Sequence, residues 1–509
     1  RVQYRDFFWN YFRFEDIDCY YNEFGREVAE YACTVAEKKL NEVEDYFDYS
    51  LNKRLIIIVY NKKNDFRQSN IGLISAEDDY NVGGYSRVIK NKVMLWFNGD
   101  HKEFDKLIAS AIAEVIVYEM VSNADLRDRT SSNSQIQIPD WYIKGLVNYV
   151  AYGWDEETDN RVRDGFENGR YKNLDNLEYD EAVYAGQSFW KYIGETYGDA
   201  IIPNIIYLSK VYKNIEDGFL YGLGKSIKDT YRDWRAFYAD YYSVKPGETY
   251  TAPKLVSRSK PQQRYTSVKV SPDGRYVAWV SNDWGRRKIM LYDTQTGKNK
   301  KLFSAEPKFE QTVDYTYPVL TWHPGGKILT FVNEEKGGMQ LYFYRTDQKN
   351  FEERTMPFFE KVMSLSYSPD ATRLLLTGVI NGMTDIYVHT IISGTSERIT
   401  FDVADDRAAS FVRGKNETII FSSNRLTDSL TNKGDPQEPV GLTWNLFTYD
   451  LAARGSVLTR LGENPYDDYR EPVGASAGAT GFTGNGNGIK NYYNASFDSV
   501  ISYIDTALH

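Results

Sequence analysis

The chain has 509 residues, a formal net charge of -10 and a sequence pI of about 5.2. This acidity argues against a nucleic-acid partner, because clustered Lys and Arg supply most of the affinity for phosphates. Its apolar runs, of which Leu55–Tyr60 is the strongest, are too short to cross a membrane as a helix. A chain of this length exceeds what one core organises, so at least two domains are expected.

The first expected elements are a strand at residues 12–21 and a helix at about residues 27–46, and each holds one of the two cysteines. Cys19 and Cys33 lack the CxxC spacing of a structural zinc site. They form a disulfide if the chain is exported, whereas two buried free thiols are the alternative, and both stay open. Arg1 stands where a Met would begin a full-length chain, so an export signal or a lipid anchor upstream is also left open.

Residues 103–122 (EFDKLIASAIAEVIVYEMVS) predict a helix that packs on a core. Apolar residues recur at the three- and four-residue spacing of one helical face: Phe104, Leu107, Ile108, Ala111, Ile112, Val115, Ile116 and Met120. Ala113 and Val117 fall on the opposite side. The spacing therefore predicts that these two side chains point away from the core.

The same segment has the layout of the HExxH helix of zinc peptidases, in which two His bind zinc and the Glu acts as general base. Here the five positions read Ala113, Glu114, Val115, Ile116 and Val117. A methyl and an isopropyl group donate no electron pair to a metal, so Glu114 has no metal-bound water to activate. Of the three functional residues of the motif, only the general base remains, as Glu114.

Further segments resemble the peptidase MA-like group of gluzincin metallopeptidases. Residues 138–150 (IPDWYIKGLVNYV) are similar to the P-x-W-x-x-E-G-x-x-x-Y segment that supplies the third zinc ligand, a Glu, and Lys144 stands at that position. The central strand and the C-terminal helices of the group are matched by residues 55–66, 184–198 and 222–238. The resemblance covers roughly residues 1–245 and implies an α+β zincin-like domain that has lost all three ligands.

Neither a metal nor another cofactor is expected. Only one of the four histidines, His101, lies in the peptidase-like half, so a displaced zinc site would need unusual ligands. A specific hypothesis for Lys144 is that its ammonium fills the space of the metal and pairs with Glu114. The alternative is that Lys144 is solvated and Glu114 points into water.

Beyond a linker at residues 246–264, the pattern changes to alternating strands and turns. A unit of about four strands repeats, and its first turns stand at Ser271, His323, Ser368 and Val412. These positions are 52, 45 and 44 residues apart. A period of this length with four strands per unit predicts the blades of a β-propeller.

The SPDG turn at residues 271–274, DDR at residues 405–407 and FSSNR at residues 421–425 together resemble TolB-type propellers of the bacterial envelope. Residues 265–509 are therefore expected to form four clear blades and a partial one. The resemblance implies closure with about six blades, but residues 469–509 are rich in Gly, Ala and Asn and show no clear repeat. The propeller is expected to be incomplete at its C-terminal end.

The sequence thus predicts a multidomain pseudopeptidase with no catalytic activity. The resemblances imply a scaffold or accessory subunit of an outer-membrane or secretion complex, in the periplasm or at the outer membrane, with other envelope proteins as partners. One alternative is a metal-dependent peptidase that uses Glu114 with atypical ligands. Another is a peptide- or glycan-binding protein with an open aromatic groove near Trp141. In the propeller, Trp279, Trp284 and Trp322 form a binding surface unless they pack between blades, which is the favoured interpretation.

Overall fold

A computed structural model describes residues 6–68, 88–121, 138–243, 263–305, 314–412, 417–430, 441, 443–462, 468–476, 479–486 and 490–496. Within these ranges, one mixed sheet with helices is followed by five antiparallel sheets. The linker predicted at residues 246–264 lies almost wholly outside them. In the described part of the chain, no helix has the length and apolar character to span a membrane.

The N-terminal sheet has the strand order β1-β2-β3-β5-β4. Its strands are β1 Trp9–Arg13, β2 Ile17–Asn22, β3 Leu55–Tyr60, β4 Val88–Ile89 and β5 Lys92–Trp96. Strands β2, β3 and β5 are parallel, and the two edge strands are antiparallel to their neighbours. The strand expected within residues 55–66 is β3, which ends at Tyr60 and lies in the middle of the sheet. The single strand expected at residues 12–21 is wrong, because the chain reverses between Arg13 and Asp18 and forms a hairpin.

The helices of the described N-terminal region are α1 Arg26–Phe47, α2 Lys63–Arg67, α3 His101–Val121, α4 Asp140–Tyr152, α5 Glu156–Glu167, α6 Tyr179–Tyr197, α7 Ile201–Tyr212, α8 Ile215–Leu223 and α9 Ile227–Tyr241. The helices expected at residues 27–46 and 103–122 correspond to α1 and α3. The segment at residues 222–238 is instead the end of α8 and most of α9. Gly224, with φ 70°, ends α8 in the left-handed conformation that favours glycine.

Helix α3 is enclosed by other elements on several sides. It packs against α1, α4, α7 and β5. Ala113 and Val117 are both 0% exposed and belong to the same core as Ile112 and Ile116. The prediction that Ala113 and Val117 point away from the core is therefore wrong, because neighbouring elements cover α3 on more than one side.

Helices α4 and α6 cross at two glycines. A Cβ built on Gly186 would lie 2.0 Å from the backbone oxygen of Trp141, and one on Gly145 would lie 2.4 Å from the Gly186 carbonyl carbon. Backbone atoms cannot move aside as a flexible side chain can. The close approach of the two helices therefore requires glycine at both positions.

Cys19 in β2 and Cys33 in α1 form a disulfide. The bridge joins the sheet to the helix that covers it, and it closes a loop with a sequence separation of 14. Of the two alternatives left open by the sequence, the structure has the disulfide.

The described residues of the C-terminal region form five blades of a β-propeller. Blade 1 has β6 Gln263–Val270, β7 Tyr276–Asp283, β8 Arg286–Asp293 and β9 Lys298–Ala305. Blade 2 has β10 Val319–Trp322, β11 Ile328–Glu335, β12 Gly338–Arg345 and β13 Asn350–Met356. Blade 3 has β14 Lys361–Tyr367, β15 Arg373–Ile380, β16 Met383–Thr390 and β17 Thr395–Arg398. Blade 4 has β18 Asp406–Phe411, β19 Thr418–Ser423, β20 Asn445–Asp450 and β21 Thr459–Arg460, and blade 5 has β22 Arg470–Ser476, β23 Ala479–Gly484 and β24 Asn491–Ser496.

The repeat read from the sequence is confirmed, since its four turns each join the first and second strands of a blade. In blade 1 the Ser271 hydroxyl donates to Asp273 at 2.5 Å and accepts the Tyr276 backbone N–H at 2.8 Å. In blade 2 the imidazole of His323 accepts the Gly325 backbone N–H at 2.9 Å. His323 therefore closes the equivalent turn of blade 2 with a ring nitrogen as the acceptor, in place of a serine hydroxyl.

The favoured interpretation of the propeller tryptophans also holds for two of the three. Trp279 and Trp322 are buried, and the Trp322 indole donates to the Lys269 carbonyl of the neighbouring blade at 3.1 Å. Trp284 is half-buried at a turn. A binding surface built from Trp279 and Trp322 is excluded.

Blade 5 forms in the stretch that shows no clear repeat. Its described residues make three strands, compared with four in each of the other blades, which agrees with the expected partial blade. Gly and Asn hide the strand pattern because they are depleted in strands elsewhere. Burial lowers the pKa of Lys269 in β6, and the Glu471 carboxylate of β22 acts in the opposite direction.

Candidate functional site

The three positions that correspond to zinc ligands in the gluzincin resemblance differ in their environments. Ala113 and Val117 lie in the apolar core, whereas Lys144 is 52% exposed and its ammonium contacts Asp140, one turn earlier in α4, at 2.7 Å. Lys144 is thus exposed and contacts a carboxylate of its own helix. Glu114 is half-buried on α3. The core packing leaves no ligand atoms at two of the three positions.

Trp141 itself does not line an open aromatic groove. Trp141 is 1% exposed, and its indole donates to Asp175 at 2.9 Å. Its ring packs edge-on against Phe189 and Tyr231. Trp141 is therefore a core residue of the α4–α6 crossing.

Within the described ranges, no three His, Cys, Asp or Glu side chains come together in a way that could hold a metal ion. His389 lies 2.9 Å from the Ser396 hydroxyl in blade 3, and His509 is outside the described residues. A cluster of buried charged side chains lies elsewhere, where the propeller meets the N-terminal region.

The start of α3 meets blade 4 through a buried ion pair. His101 Nδ1 lies 2.7 Å from Asp405 Oδ1, and the His101 backbone N–H donates to Asp405 Oδ2 at 2.8 Å. Beside this pair, the Arg407 guanidinium donates to Asp100 at 2.6 Å. Asp405 is fully buried, and Asp100 and His101 are nearly so. We call Asp100, His101, Asp405 and Arg407 the docking cluster.

The sequence motifs DDR and FSSNR form the propeller side of this cluster. The Asn424 side chain donates to Asp405 at 3.2 Å and accepts the Asp405 backbone N–H at 2.7 Å. Arg425 binds Asp406 through two hydrogen bonds and also binds Asp402 at 3.1 Å. These contacts hold Asp405 in the orientation that faces His101.

The electrostatics of the cluster favour a charged His101. Burial lowers the pKa of His101, but the nearby carboxylates, Asp405 foremost, more than offset it, so the pKa is raised above its ordinary value. Burial raises the pKa of Asp105 to about 6, although the Tyr31 hydroxyl donates to it at 2.7 Å. The Tyr31 ring packs edge-on against His101 at 4.6 Å. The His101 imidazolium thus lies between the Asp405 carboxylate and the Tyr31 ring.

A second set of contacts joins the loop after β3 to blades 2 and 3. The Asn61 side chain donates to Glu360 at 3.3 Å, and Lys62 donates to the Gly337 carbonyl. Burial raises the pKa of Glu360 to about 7. The Thr384 hydroxyl of blade 3 donates to the Gly99 carbonyl at 3.1 Å. The N-terminal region is therefore attached to at least three blades.

The propeller residues in these contacts lie at one end of the blades. Gly337 joins the second and third strands of blade 2, and Glu360 and Asp405 precede the first strands of blades 3 and 4. In an antiparallel sheet these loops share one end, whereas the turns at Ser271 and Ser368 lie at the other. The N-terminal region thus covers one face of the propeller, and the SPDG turn belongs to the opposite face.

Sequence reasoning missed the docking cluster. It treated DDR and FSSNR as marks of resemblance and His101 as an isolated histidine. The partners are 304 residues apart in the chain, so no local pattern connects His101 with Asp405. The local signal that could have pointed to it was the run Asp405, Asp406 and Arg407, which is too polar for the start of a buried strand.

No protein-family model matches the chain. No curated protein matches it either. Among solved structures, it is similar to TolB from Acinetobacter baumannii at 15% identity and a TM-score of 0.32, over 46% of this chain and 55% of that one. It is similar to the β-propeller domain of the Trilobed protease from Pyrococcus furiosus at 16% identity and a TM-score of 0.32, over 46% of this chain and 67% of that one. A puromycin-hydrolyzing peptidase from Mycobacterium tuberculosis matches at 14% identity and a TM-score of 0.34, over 46% of this chain and 36% of that one.

The chain spans little more than half the length of the Acinetobacter protein. At identities of 14 to 16%, these likenesses say nothing about activity.

Proposed function

We propose that this protein is a non-catalytic scaffold or accessory subunit of a bacterial envelope complex, in which a degenerate gluzincin domain and a TolB-like propeller act as one body. The observation that carries the proposal is the way in which α3 is packed. Where a peptidase would present its ligands, this helix buries Ala113 and Val117, and its first residue docks the propeller through His101 and Asp405.

A catalytic zinc site needs three protein ligands and an open position for water. The packing around Ala113 and Val117 offers neither the electron pairs nor the space at those two positions. Conversely, buried ion pairs across a domain boundary are suited to fixing one arrangement of two domains. Both features support a shaped binding body over an enzyme.

The disulfide between Cys19 and Cys33 supports an exported protein, because structural disulfides persist in oxidising compartments such as the bacterial periplasm. Together with the sequence resemblance to TolB-type propellers, it supports a location in the periplasm or at the outer membrane. The partners proposed are other envelope proteins, subunits of an outer-membrane or secretion complex.

The first test measures metal content and hydrolysis together. The native protein and a Glu114→Gln variant are purified without chelators, analysed for bound metals by mass spectrometry and assayed on a mixed peptide library. The scaffold proposal expects no stoichiometric metal and the same background hydrolysis for both. A stoichiometric metal with activity that Glu114→Gln abolishes would establish the alternative, a peptidase with atypical ligands.

A second test addresses assembly. Partners are crosslinked in intact envelopes with the native chain, with Glu114→Gln and with Asp405→Ala. A scaffold whose two domains act as one body should lose partner crosslinks in Asp405→Ala and keep them in Glu114→Gln. If the crosslinks are lost in Glu114→Gln and kept in Asp405→Ala, the partner binds near Glu114 and does not require the two domains to be held together.

A further inference from the structure

The contact between the N-terminal region and blades 2 and 3 is built around a carboxylate that both regions hold. Glu360 precedes the first strand of blade 3 and is half-buried. Its two oxygens accept hydrogen bonds from the Asn61 side chain of the N-terminal region, at 3.3 Å, and from the Gly382 backbone N–H of blade 3, at 3.4 Å. The neighbouring Lys62 ammonium donates to the Gly337 carbonyl of blade 2 instead. Glu360 is therefore part of the domain contact, and both of these hydrogen-bond donors are uncharged.

A second carboxyl, that of Glu334, is buried beside this contact. Glu334 lies near the end of β11 and is 7% exposed. The titratable and charged groups that face Glu334 come from the loop after β3, from α2 and from the propeller: Lys62, Lys63, Arg67, Arg287, Asp314 and Tyr317. Those that face Glu360 come from the same two regions: Lys62, Asp65 and Tyr387. Separation of the two regions would remove the N-terminal members of both sets and admit water to both carboxyls.

The enclosed contact changes the acidity of both carboxyls in the same direction. Burial raises the pKa of Glu334 from an ordinary value of 4.5 to about 7, and it raises the pKa of Glu360 to about 7 as well. A carboxyl that is exposed to water titrates near its ordinary value. The closed contact therefore keeps a proton on each carboxyl in a pH range where the open contact has already released it.

A rise in pH from about 5 to about 7 therefore weakens the closed contact, because ionisation is easier in the open one. The pKa of His101 in the docking cluster is raised, so the stability that its charged form contributes is lost in the same direction. Two groups with other effects titrate outside this range. Burial lowers the pKa of Lys63 only to about 8, and Lys361 and Lys63 together hold the pKa of Asp314 well below its ordinary value in spite of burial.

We propose that the contact of residues 61–67 with blades 2 and 3 is a pH-sensitive latch, which is closed at mildly acidic pH and weakens as Glu334 and Glu360 ionise. When both carboxyls are charged, the closed latch confines two anions that water solvates better than the uncharged donors Asn61 and Gly382 do. Opening of the latch relieves this cost. The inference rests on the proposed function and deepens it, because it sets the condition under which the two domains act as one body.

The test is hydrogen–deuterium exchange of the full chain at about pH 5.5 and about pH 8, with each rate corrected for the intrinsic exchange at that pH. Peptides that cover residues 58–68 and 379–386 report the opening of the latch, and a peptide that covers β19, Thr418–Ser423, is the internal reference. Each carboxyl contributes at least about tenfold between these pH values. Opening of the latch relative to the reference should therefore increase by about a hundredfold or more in the native protein.

Glu334→Gln combined with Glu360→Gln removes both titrating carboxyls, so the increase should be at least about tenfold smaller than in the native protein. Each single variant should give an intermediate increase, which keeps the test decisive if the double variant does not fold. Glu353→Gln is the matched control, because Glu353 is an exposed carboxyl of β13 in blade 2, and it should behave as the native protein does. A weakening of the contact by the amides at both pH values does not enter the result, since only the change with pH is compared.

The proposal is overturned if the native latch opens equally at both pH values, if it opens more at the lower pH, or if the double variant keeps the pH dependence of the native protein. Such a result would leave the scaffold proposal standing, because the crosslinking of Asp405→Ala and Glu114→Gln is compared at a single pH. Conversely, failure of the crosslinking test would leave the exchange result unchanged, since no partner takes part in it.

Discussion

Removal of the Asp405 carboxylate should uncouple the propeller from the N-terminal region. Asp405 accepts three hydrogen bonds, two from His101 and one from Asn424, at distances from 2.7 to 3.2 Å. In Asp405→Ala all three donors lose their acceptor in a site that water does not reach. The variant also leaves a positively charged imidazole buried without its main counter-charge.

Removal of one partner from a buried ion pair destabilises proteins by about 3–5 kcal/mol. Because a folded domain is stable by only about 5–15 kcal/mol, this loss is a large fraction of the total. Asp405→Asn keeps the shape and one acceptor oxygen and should cost about 1–3 kcal/mol. Asp428→Asn is the matched control in the same blade: Asp428 pairs with Arg460 at 2.8 Å but is 45% exposed, so its loss should cost less than about 1 kcal/mol.

The assay is differential scanning calorimetry at several pH values. The two domains of the native protein should unfold together in one transition. In Asp405→Ala, one domain should unfold at a lower temperature than the other. Because the pKa of His101 is raised, the contribution of the pair is fully present below pH 6.5 and is lost as the pH rises through the raised value. The difference between native and Asp405→Ala should therefore be largest near about pH 6 and smaller at about pH 9. A cost below about 1 kcal/mol at the lower pH would refute the role given to this pair.

Three further expectations concern other parts of the molecule. Since burial raises the pKa of Asp105 to about 6, the charged form of this carboxyl is disfavoured in the folded state. The Asp105→Asn variant should therefore gain stability relative to the native protein as the pH rises from about 4 to about 7. A stability difference in urea titrations that does not change with pH would contradict this. Gly186→Ala places a Cβ against backbone and should cost at least about 1–3 kcal/mol by thermal unfolding, whereas Gly455→Ala, where the added atom meets nothing within 4 Å, should be neutral. Reduction of the bridge between Cys19 and Cys33, which closes a loop of separation 14, should lower stability by about 3 kcal/mol, and a double Cys→Ala variant should then be indifferent to reductant.

Local patterns predicted local structure well. The spacing of apolar residues located α1 and α3 to within a few residues, and the SPDG-type turns located the first four blades, because both patterns depend on neighbours in the chain. The hairpin between Arg13 and Asp18 was missed because its turn contains only two acidic residues, Glu15 and Asp16, between the apolar Phe14 and Ile17. Blade 5 was indistinct since its strands use Gly, Ala and Asn in place of β-branched residues.

The environment of the candidate site could not be predicted in the same way. A helical wheel assigns one buried face to α3, and this placed Ala113 and Val117 on the wrong side, because the number of elements around a helix is a property of the tertiary structure. The pairing of His101 with Asp405 depends on how two regions 304 residues apart come together. Residue types alone showed that positions 113 and 117 offer no metal ligands, but not that both side chains are fully buried.

The packing of α3 bears on the proposal that this chain has no peptidase activity. A histidine introduced at position 113 would place an imidazole where the Ala113 methyl group is fully enclosed, and the same holds at Val117. Such a side chain would have to displace core atoms and lose its hydration without any partner already in place. Helix α3 therefore has a closely packed core around Ala113 and Val117 and contacts the propeller at its first turn. A helix with both of these roles is constrained by the fold as a whole, which is the physical basis for the proposal that the two regions act as one body.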